Sequence, residues 1–329
     1  MKIFFYSFFL IILFLGVFYF GTGFYLAHTI LRIDHSCGVH EGSLPNTWST
    51  KLDYQDIKDK ERIELRKKFE ATKYHLNRWE NVTFSSRDPK VIISGWLFNY
   101  YPNKPIVIVV HGIFPNGKCK SEPNLIASLL IKNGINALTI DLRNYGQSTL
   151  ISHYENLGLT EYLDVLGAFD YLQTVGFKEN EIGLLGISLG ASTVIFAASH
   201  ESSIQAIWSE SSIAEFKMIL TDEIGRYGFP NIFGPAVRII GRLITGIDPT
   251  RLNPAYALTK HQNYYFTHGE LDQRIFVSHF NFIRDYATAH SIKANYWLVH
   301  DAGHVDAMLI NPEEYANRMK TFFGKNLRN

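Results

Sequence analysis

The stretch IGLLGISLGASTVIFAA, running from Ile182 to Ala198, decides how the rest of the chain is read. Ile182 to Ile187 is a short apolar run, suited to a strand buried on both faces, and Ala191 to Ala198 has the character of a helix. Between them Gly186-Ile187-Ser188-Leu189-Gly190 fits G-x-S-x-G, in which small residues allow a sharp strand-to-helix turn that holds a serine hydroxyl above the sheet. The plain alternative is a Gly-rich turn without chemistry. The strand before the motif and the helix after it argue against that.

The same alternation extends on both sides. Val91 to Tyr100 is β-rich, and Ile106 to Val110 is a continuous β-branched run. Asn124 to Lys132 reads as helix, Ile135 to Leu142 as strand, Leu159 to Val175 as helix and Ile204 to Trp208 as strand. Tyr264 to Thr267 and Asn295 to Val299 add two strands, each followed by a helix, while Ser211 to Gln262 interrupts the rhythm with a long insertion. Strands alternating with helices predict an α/β fold with a mostly parallel sheet, whose ligands sit at the carboxyl ends of the strands.

A serine hydroxyl needs an imidazole to take its proton, and a carboxylate to orient that imidazole. His304 lies just past the strand ending at Val299; His300 is a nearby rival of more structural character, and His279 and His290 fall in an expected helix. Asp272 follows the strand Tyr264 to Thr267, with Glu210 and Asp301 as rival carboxylates. A tetrahedral oxyanion also needs backbone donors. The elbow supplies the N–H of Leu189, and the turn His111-Gly112-Ile113 supplies a second from Ile113, with His111 itself packing the turn. The same loop, Gly112 to Cys119, fits G-x-x-x-x-G-K, but Cys119 replaces the magnesium-ligating hydroxyl and Pro115 removes a phosphate-binding N–H. A phosphate loop fails on that chemistry, and the acyl-transfer reading calls for no metal or organic cofactor.

Composition bounds the partners. A chain of 329 residues holds one large α/β domain with an appendage, and a net charge of +1 offers no basic field for a nucleic-acid backbone. Cys37 and Cys119 are too few for a disulfide framework and read as ordinary thiols. Ile3 to Leu31 contains no Asp, Glu, Lys or Arg, long enough to span a bilayer. A cleaved signal peptide would have a shorter apolar core and a small-residue exit, whereas Phe24, Tyr25, Leu26 and Ile30 crowd this one. Residues 1–32 are therefore expected to be an uncleaved transmembrane anchor. Lys2 before the span favours a cytoplasmic amino terminus and an extracytoplasmic domain, against the vote of Arg32 after it. From Lys51 to Glu80 there are 9 basic and 7 acidic residues, with Leu52, Phe69, Leu76 and Trp79 as sparse apolar positions, so 33–80 reads as a solvated helical spacer. Its run Arg66-Lys67-Lys68 belongs to a solvated face or touches anionic lipid.

The ordered motifs of residues 81–329 resemble the α/β-hydrolase superfamily, and within it the bacterial membrane-anchored hydrolases related to the prolyl-oligopeptidase-like branch. The resemblance is carried by Ser86-Arg87-Asp88-Pro89 before Gly95-Trp96, by His111-Gly112, and by Asp141-Leu142-Arg143-Asn144-Tyr145-Gly146-Gln147-Ser148. The elbow, the segment His268 to Asp272 and the pair Gly303-His304 complete it. It implies Ser188 as nucleophile, Asp272 as acid and His304 as base, in the chain order of this fold. Pro89 stands where the family usually has Gly, which puts the hairpin geometry in question.

The expected function is a membrane-anchored serine hydrolase cleaving a carboxylic ester, or a thioester or amide, in a small-molecule or lipid-like acyl substrate. Alternatives are a peptidase or thioesterase of the same fold, or a binding protein that kept the fold without catalysis. The insertion is expected to form a helical cap at about 211–262. Its many apolar residues, among them Phe216, Ile219, Leu220, Phe233 and Val237, exceed what so short a segment can bury within itself. They either pack or line an apolar acyl pocket.

Overall fold

Eight strands form one sheet in the computed structural model, which describes residues 2–33, 37, 41–50, 60–113 and 119–328. They are β1 (Glu80–Ser85), β2 (Ile92–Phe98), β3 (Ile106–Val110), β4 (Asn136–Asp141), β5 (Ile182–Ile187), β6 (Ala206–Glu210), β7 (Asn263–Gly269) and β8 (Lys293–Val299). Their spatial order is β1-β2-β4-β3-β5-β6-β7-β8, with β1 and β2 antiparallel additions to an otherwise parallel sheet. The hairpin closes around Pro89, since Ser86 donates to the Val91 carbonyl and Val91 to that of Asp88, pairing Ser85 with Ile92.

Period-two alternation explains why the central strands read as unbroken apolar runs. Ile106, Ile108 and Val110 of β3 face a core shared with α4 (Tyr162–Thr174), α5 (Leu189–His200) and α8 (Val277–Ala289). Val107 and Val109 face the opposite core, built with α3 (Asn124–Lys132) and α10 (Pro312–Asn326). The chain passes from β3 to β4 on one side and returns to place β5 on the other. That reversal opens a crevice at the carboxyl ends of β3 and β5, where Gly112 and Ser188 sit.

The insertion forms two helices, α6 (Phe216–Arg226) and α7 (Gly234–Thr245), and its apolar surplus has a partner the sequence did not suggest. The amino-terminal helix α1 (Lys2–Leu31) lies against α7. Leu26 and Ala27 are fully buried with Ile224, Phe233 and Val237, and Leu220, Phe229, Ile240 and Ile244 join them. A Cβ on Gly23 would come within 2.6 Å of the Ala236 Cβ, so small residues let the two helices approach closely. Past α1, Ile33 donates to the His153 carbonyl and Glu155 to that of Leu31, and His28 hydrogen-bonds the Tyr154 hydroxyl. The helix is thus stitched to the domain.

Two expectations are corrected. Where it is described, the segment read as a solvated spacer packs on the domain: Trp48, Ala71 and Leu76 are buried in the core, Leu65 and Phe69 pack beside them, and Leu52 lies outside the described residues. Among its described residues only α2 (Lys60–Lys68) is an α-helix, and its Arg66 is buried in an ion pair with Asp306. A basic residue can enter a core when a carboxylate waits there, which local charge counting does not reveal. Second, Cys37 and Cys119 are joined in a disulfide, with Cα atoms 6.0 Å apart. Their separation of 82 residues carries no pairing signal; tertiary proximity alone supplies it.

Candidate active site

Ser188 follows β5 directly and has φ of 54°, a conformation costly for a residue with a side chain. The surrounding glycines make it attainable. A Cβ on Gly186 would lie 2.0 Å from the Gly190 carbonyl oxygen, and one on Gly190 would lie 2.3 Å from that of Val110. No side chain fits at either position, so the turn can bend sharply enough to lift Ser188 out of the strand line and start α5.

Two later loops converge on this serine. His304, in the loop after β8, places Nε2 at 2.9 Å from Ser188 Oγ, while its Nδ1 lies 2.8 Å from Asp272 Oδ2 in the loop after β7. An ionised carboxylate only accepts, so Nδ1 carries the proton and Nε2 accepts from the serine hydroxyl. Asp272 is itself held, because its Oδ1 accepts the amides of Arg274 at 2.8 Å and Ile275 at 2.9 Å. Burial pushes the Asp272 carboxyl up, but His304, His268 and the Ile275 amide overcome it and hold the group well below its ordinary value. The acid is therefore ionised throughout the neutral range.

The rivals fall elsewhere. Glu210, at the end of β6, accepts a 2.7 Å hydrogen bond from the Tyr315 hydroxyl, and burial lifts its carboxyl to about 8. Asp301 is exposed, and His300 is an exposed partner of Glu270 at 2.6 Å. His279 is buried on α8, accepting the Ala214 amide and donating to Asp222. His290 caps the same helix.

The turn after β3 approaches the elbow closely: a Cβ on Gly112 would be 2.9 Å from that of Ser188. His111, fully buried, donates from Nδ1 to the Gly112 carbonyl at 2.8 Å and accepts the Leu142 amide at Nε2. Because a peptide is planar and trans, fixing the Gly112 carbonyl aims the Ile113 N–H the opposite way. Glu122 takes the Gly112 amide, and among the described residues nothing takes the N–H of Ile113 or Leu189. Residues 114–118, including Pro115 of the rejected phosphate loop, lie outside the described residues.

Several supporting residues escaped sequence reasoning. Arg226 of α6 donates to the carbonyls of Gln273 and Arg274, and Glu223 pairs with Arg274, so the cap clasps the loop that carries Asp272. Their separations of about 50 residues leave no local signal. Asp141 and Arg143 of the Asp-x-Arg motif serve structure: Asp141 binds the buried Lys120 at 2.7 Å, and Arg143 binds Asp164 at 2.8 Å. A Cβ on Gly146 would strike the Asp141 carboxylate, which accounts for the glycine of that motif.

Comparisons with known proteins agree with this fold. Residues 105–237 match the family model described as the alpha/beta hydrolase fold. The chain has the alpha/beta hydrolase fold. It is 30% identical over 124 residues to the thiohydrolase aneE of Aspergillus aculeatus, a match spanning 37% of this chain and 38% of that protein. Among solved structures, the Pyrococcus furiosus esterase Pf2001 superposes with a TM-score of 0.61 at 22% identity, covering 76% of this chain and 92% of that one. The Pyrococcus horikoshii acylaminoacyl peptidase superposes with a TM-score of 0.57 at 17% identity, covering 77% and 42%. At these identities the structural likeness is one of fold.

Proposed function

We propose that this α/β-hydrolase is a membrane-anchored serine hydrolase that cleaves carboxylic esters through an acyl-enzyme. The observation that carries the reading is the chain of hydrogen bonds from Ser188 through His304 to Asp272, at 2.9 and 2.8 Å. His304 takes the Ser188 proton as the hydroxyl attacks the acyl carbon, and the amides of Ile113 and Leu189 stabilise the oxyanion. The protonated imidazole then protonates the leaving alcohol. Water deacylates the serine with His304 again as base. A fluorophosphonate probe should modify the purified protein at Ser188 and nowhere on Ser188→Ala; persistent modification of that variant rejects the nucleophile.

Helix α1 is long and apolar enough over Phe4–Leu31 to cross a membrane, which supports the anchor. The Cys37–Cys119 disulfide supports an extracytoplasmic domain, because such bonds persist in oxidising compartments. For the acyl group, the apolar side chains the cap leaves facing open space support an apolar site: a cavity of about 50 Å³ between α1 and the cap is lined by Ala27, Ile30, Phe216, Ile219 and Val237, with Glu223 and Arg238 also on its wall. Such walls favour apolar over charged acyl groups. Each added methylene is expected to raise kcat/KM by a few-fold until the space is full, at about 0.8 kcal/mol per buried CH₂. Flat activity from two-carbon to eight-carbon esters would remove the apolar acyl site.

A further inference from the structure

The part of α1 that stands free of the domain is too short to cross a bilayer by itself. Contact with the domain begins where the rings of Phe18 and Tyr19 meet Phe233, and Tyr19 donates to the Ile232 carbonyl. The stretch before that contact, Phe4 to Val17, extends about 21 Å at 1.5 Å per residue. A hydrocarbon layer of about 30 Å needs about 20 residues, which carries its edge to the level of Gly23. Gly23 is the residue pressed against Ala236 of α7. A spanning α1 therefore brings the start of α7 to the edge of the acyl region, and tilt of this long helix toward the cap lowers the rest of α7 toward the same surface.

The exposed side of α7 has the composition for that position. Ile232, just before it, is 68% exposed, and Ile239 and Leu243, four residues apart on one face of the helix, are 42% and 73% exposed. Arg238 and Arg242 are exposed between them, and α7 contains no acidic residue; Asp248, just beyond it, lies 3.6 Å from Arg242. Tyr25 of α1 and Tyr227, just past α6, are exposed nearby and are of a residue type that sits at headgroup level. Leu31 meets Gly241 as Gly23 meets Ala236, so α7 runs alongside α1, and its basic and apolar side chains reach the interface from the flank of the span.

We propose that α7 is a membrane-docking face, with Ile232, Ile239 and Leu243 in the acyl boundary of the bilayer and Arg238 and Arg242 on the phosphates of anionic lipids. This rests on the anchor reading above and goes beyond it, since a tether alone would leave the cap in water. Docking fixes the cap, and through Arg226 the Asp272 loop, at a set height over the membrane.

The test uses the full chain in nanodiscs of phosphatidylcholine with 30% phosphatidylglycerol. Single cysteines are introduced by Ile239→Cys, Leu243→Cys, Phe14→Cys and Lys178→Cys, and nitroxide-labelled with the native disulfide kept oxidised. Phe14 reports the anchor, and Lys178, with a side chain 77% exposed, reports water. The ratio of oxygen to nickel-chelate accessibility at positions 239 and 243 is expected to exceed that at 178 at least threefold, and to fall when both arginines are changed to Glu. Ratios equal to that at 178, with the label at 14 in lipid, overturn the docking face and leave the anchor standing. Shielding from both reagents would mark contact with a second copy and also overturn it. A label at 14 that reads as water overturns the anchor, and the docking face with it.

Discussion

Asp272→Asn is expected to lower kcat for ester hydrolysis by on the order of 10⁴ while leaving the fold intact. The amides of Arg274 and Ile275 both donate to Oδ1, so an asparagine must turn its carbonyl oxygen toward them and its NH₂ toward His304. Facing a donor, Nδ1 can only accept. The imidazole proton then moves to Nε2, the atom that must receive the Ser188 proton, and the base is lost. Michaelis kinetics on a short acyl ester, with thermal melts of each variant, measure this directly; a loss below tenfold would remove Asp272 as the orienting acid.

Glu210→Gln supplies the contrast, because its effect is on stability. The Glu210 carboxyl is raised by burial to about 8, above its unfolded value, so the folded state holds a proton that the unfolded state has released. Wild-type stability is therefore expected to be full below about pH 4.5 on this account, and to fall as pH rises through about 8. The drop is several kcal/mol at about 1.4 kcal/mol per unit. Gln keeps an acceptor for the Tyr315 hydroxyl without the charge, so melting temperatures of the variant should fall less over that range. An identical pH profile would show that Glu210 does not carry the effect.

Removing the disulfide, by Cys37→Ser with Cys119→Ser, is expected to cost about 2–5 kcal/mol of domain stability. The bond closes a loop of 82 residues, long enough for a large loss of denatured-state entropy. It also ties the segment after α1 to the residue preceding Lys120, whose ammonium binds Asp141, Ser94 and Gln147 in the interior. Thermal melts of wild type and double variant measure the difference, and a shift under one or two degrees would dismiss the bond as a stabiliser. Alkylation before lysis tests where it forms. Protein trapped from intact cells with both cysteines blocked from the alkylating reagent is expected; free thiols would place the domain in a reducing compartment.

Much of the site was legible because its signals are local. Ser188 is announced by glycines two residues to either side, each needed because a backbone carbonyl stands where a Cβ would be. His304 and Asp272 follow predicted strands, and parallel strands deliver their carboxyl ends to one edge of the sheet. The strand and helix limits also fell within a few residues of the observed ones, since periodicity of burial is written in adjacent side chains. Choosing Asp272 over Glu210 was different. Both follow strands; the resemblance of the segment His268 to Asp272 pointed to Asp272, and the loop geometry turns that residue to His304 and Glu210 to Tyr315.

By itself, then, the sequence determined the α/β layering, the elbow, and the apolar amino-terminal helix, all consequences of short-range pattern. Only the tertiary structure decided that Cys37 meets Cys119, that Arg66 enters the core to reach Asp306, that Arg226 clasps the acid loop, and that α1 and α7 bury one another's apolar faces. These contacts join residues tens to hundreds of positions apart. Their energy comes from desolvation and close approach in three dimensions, which no periodicity along the chain records.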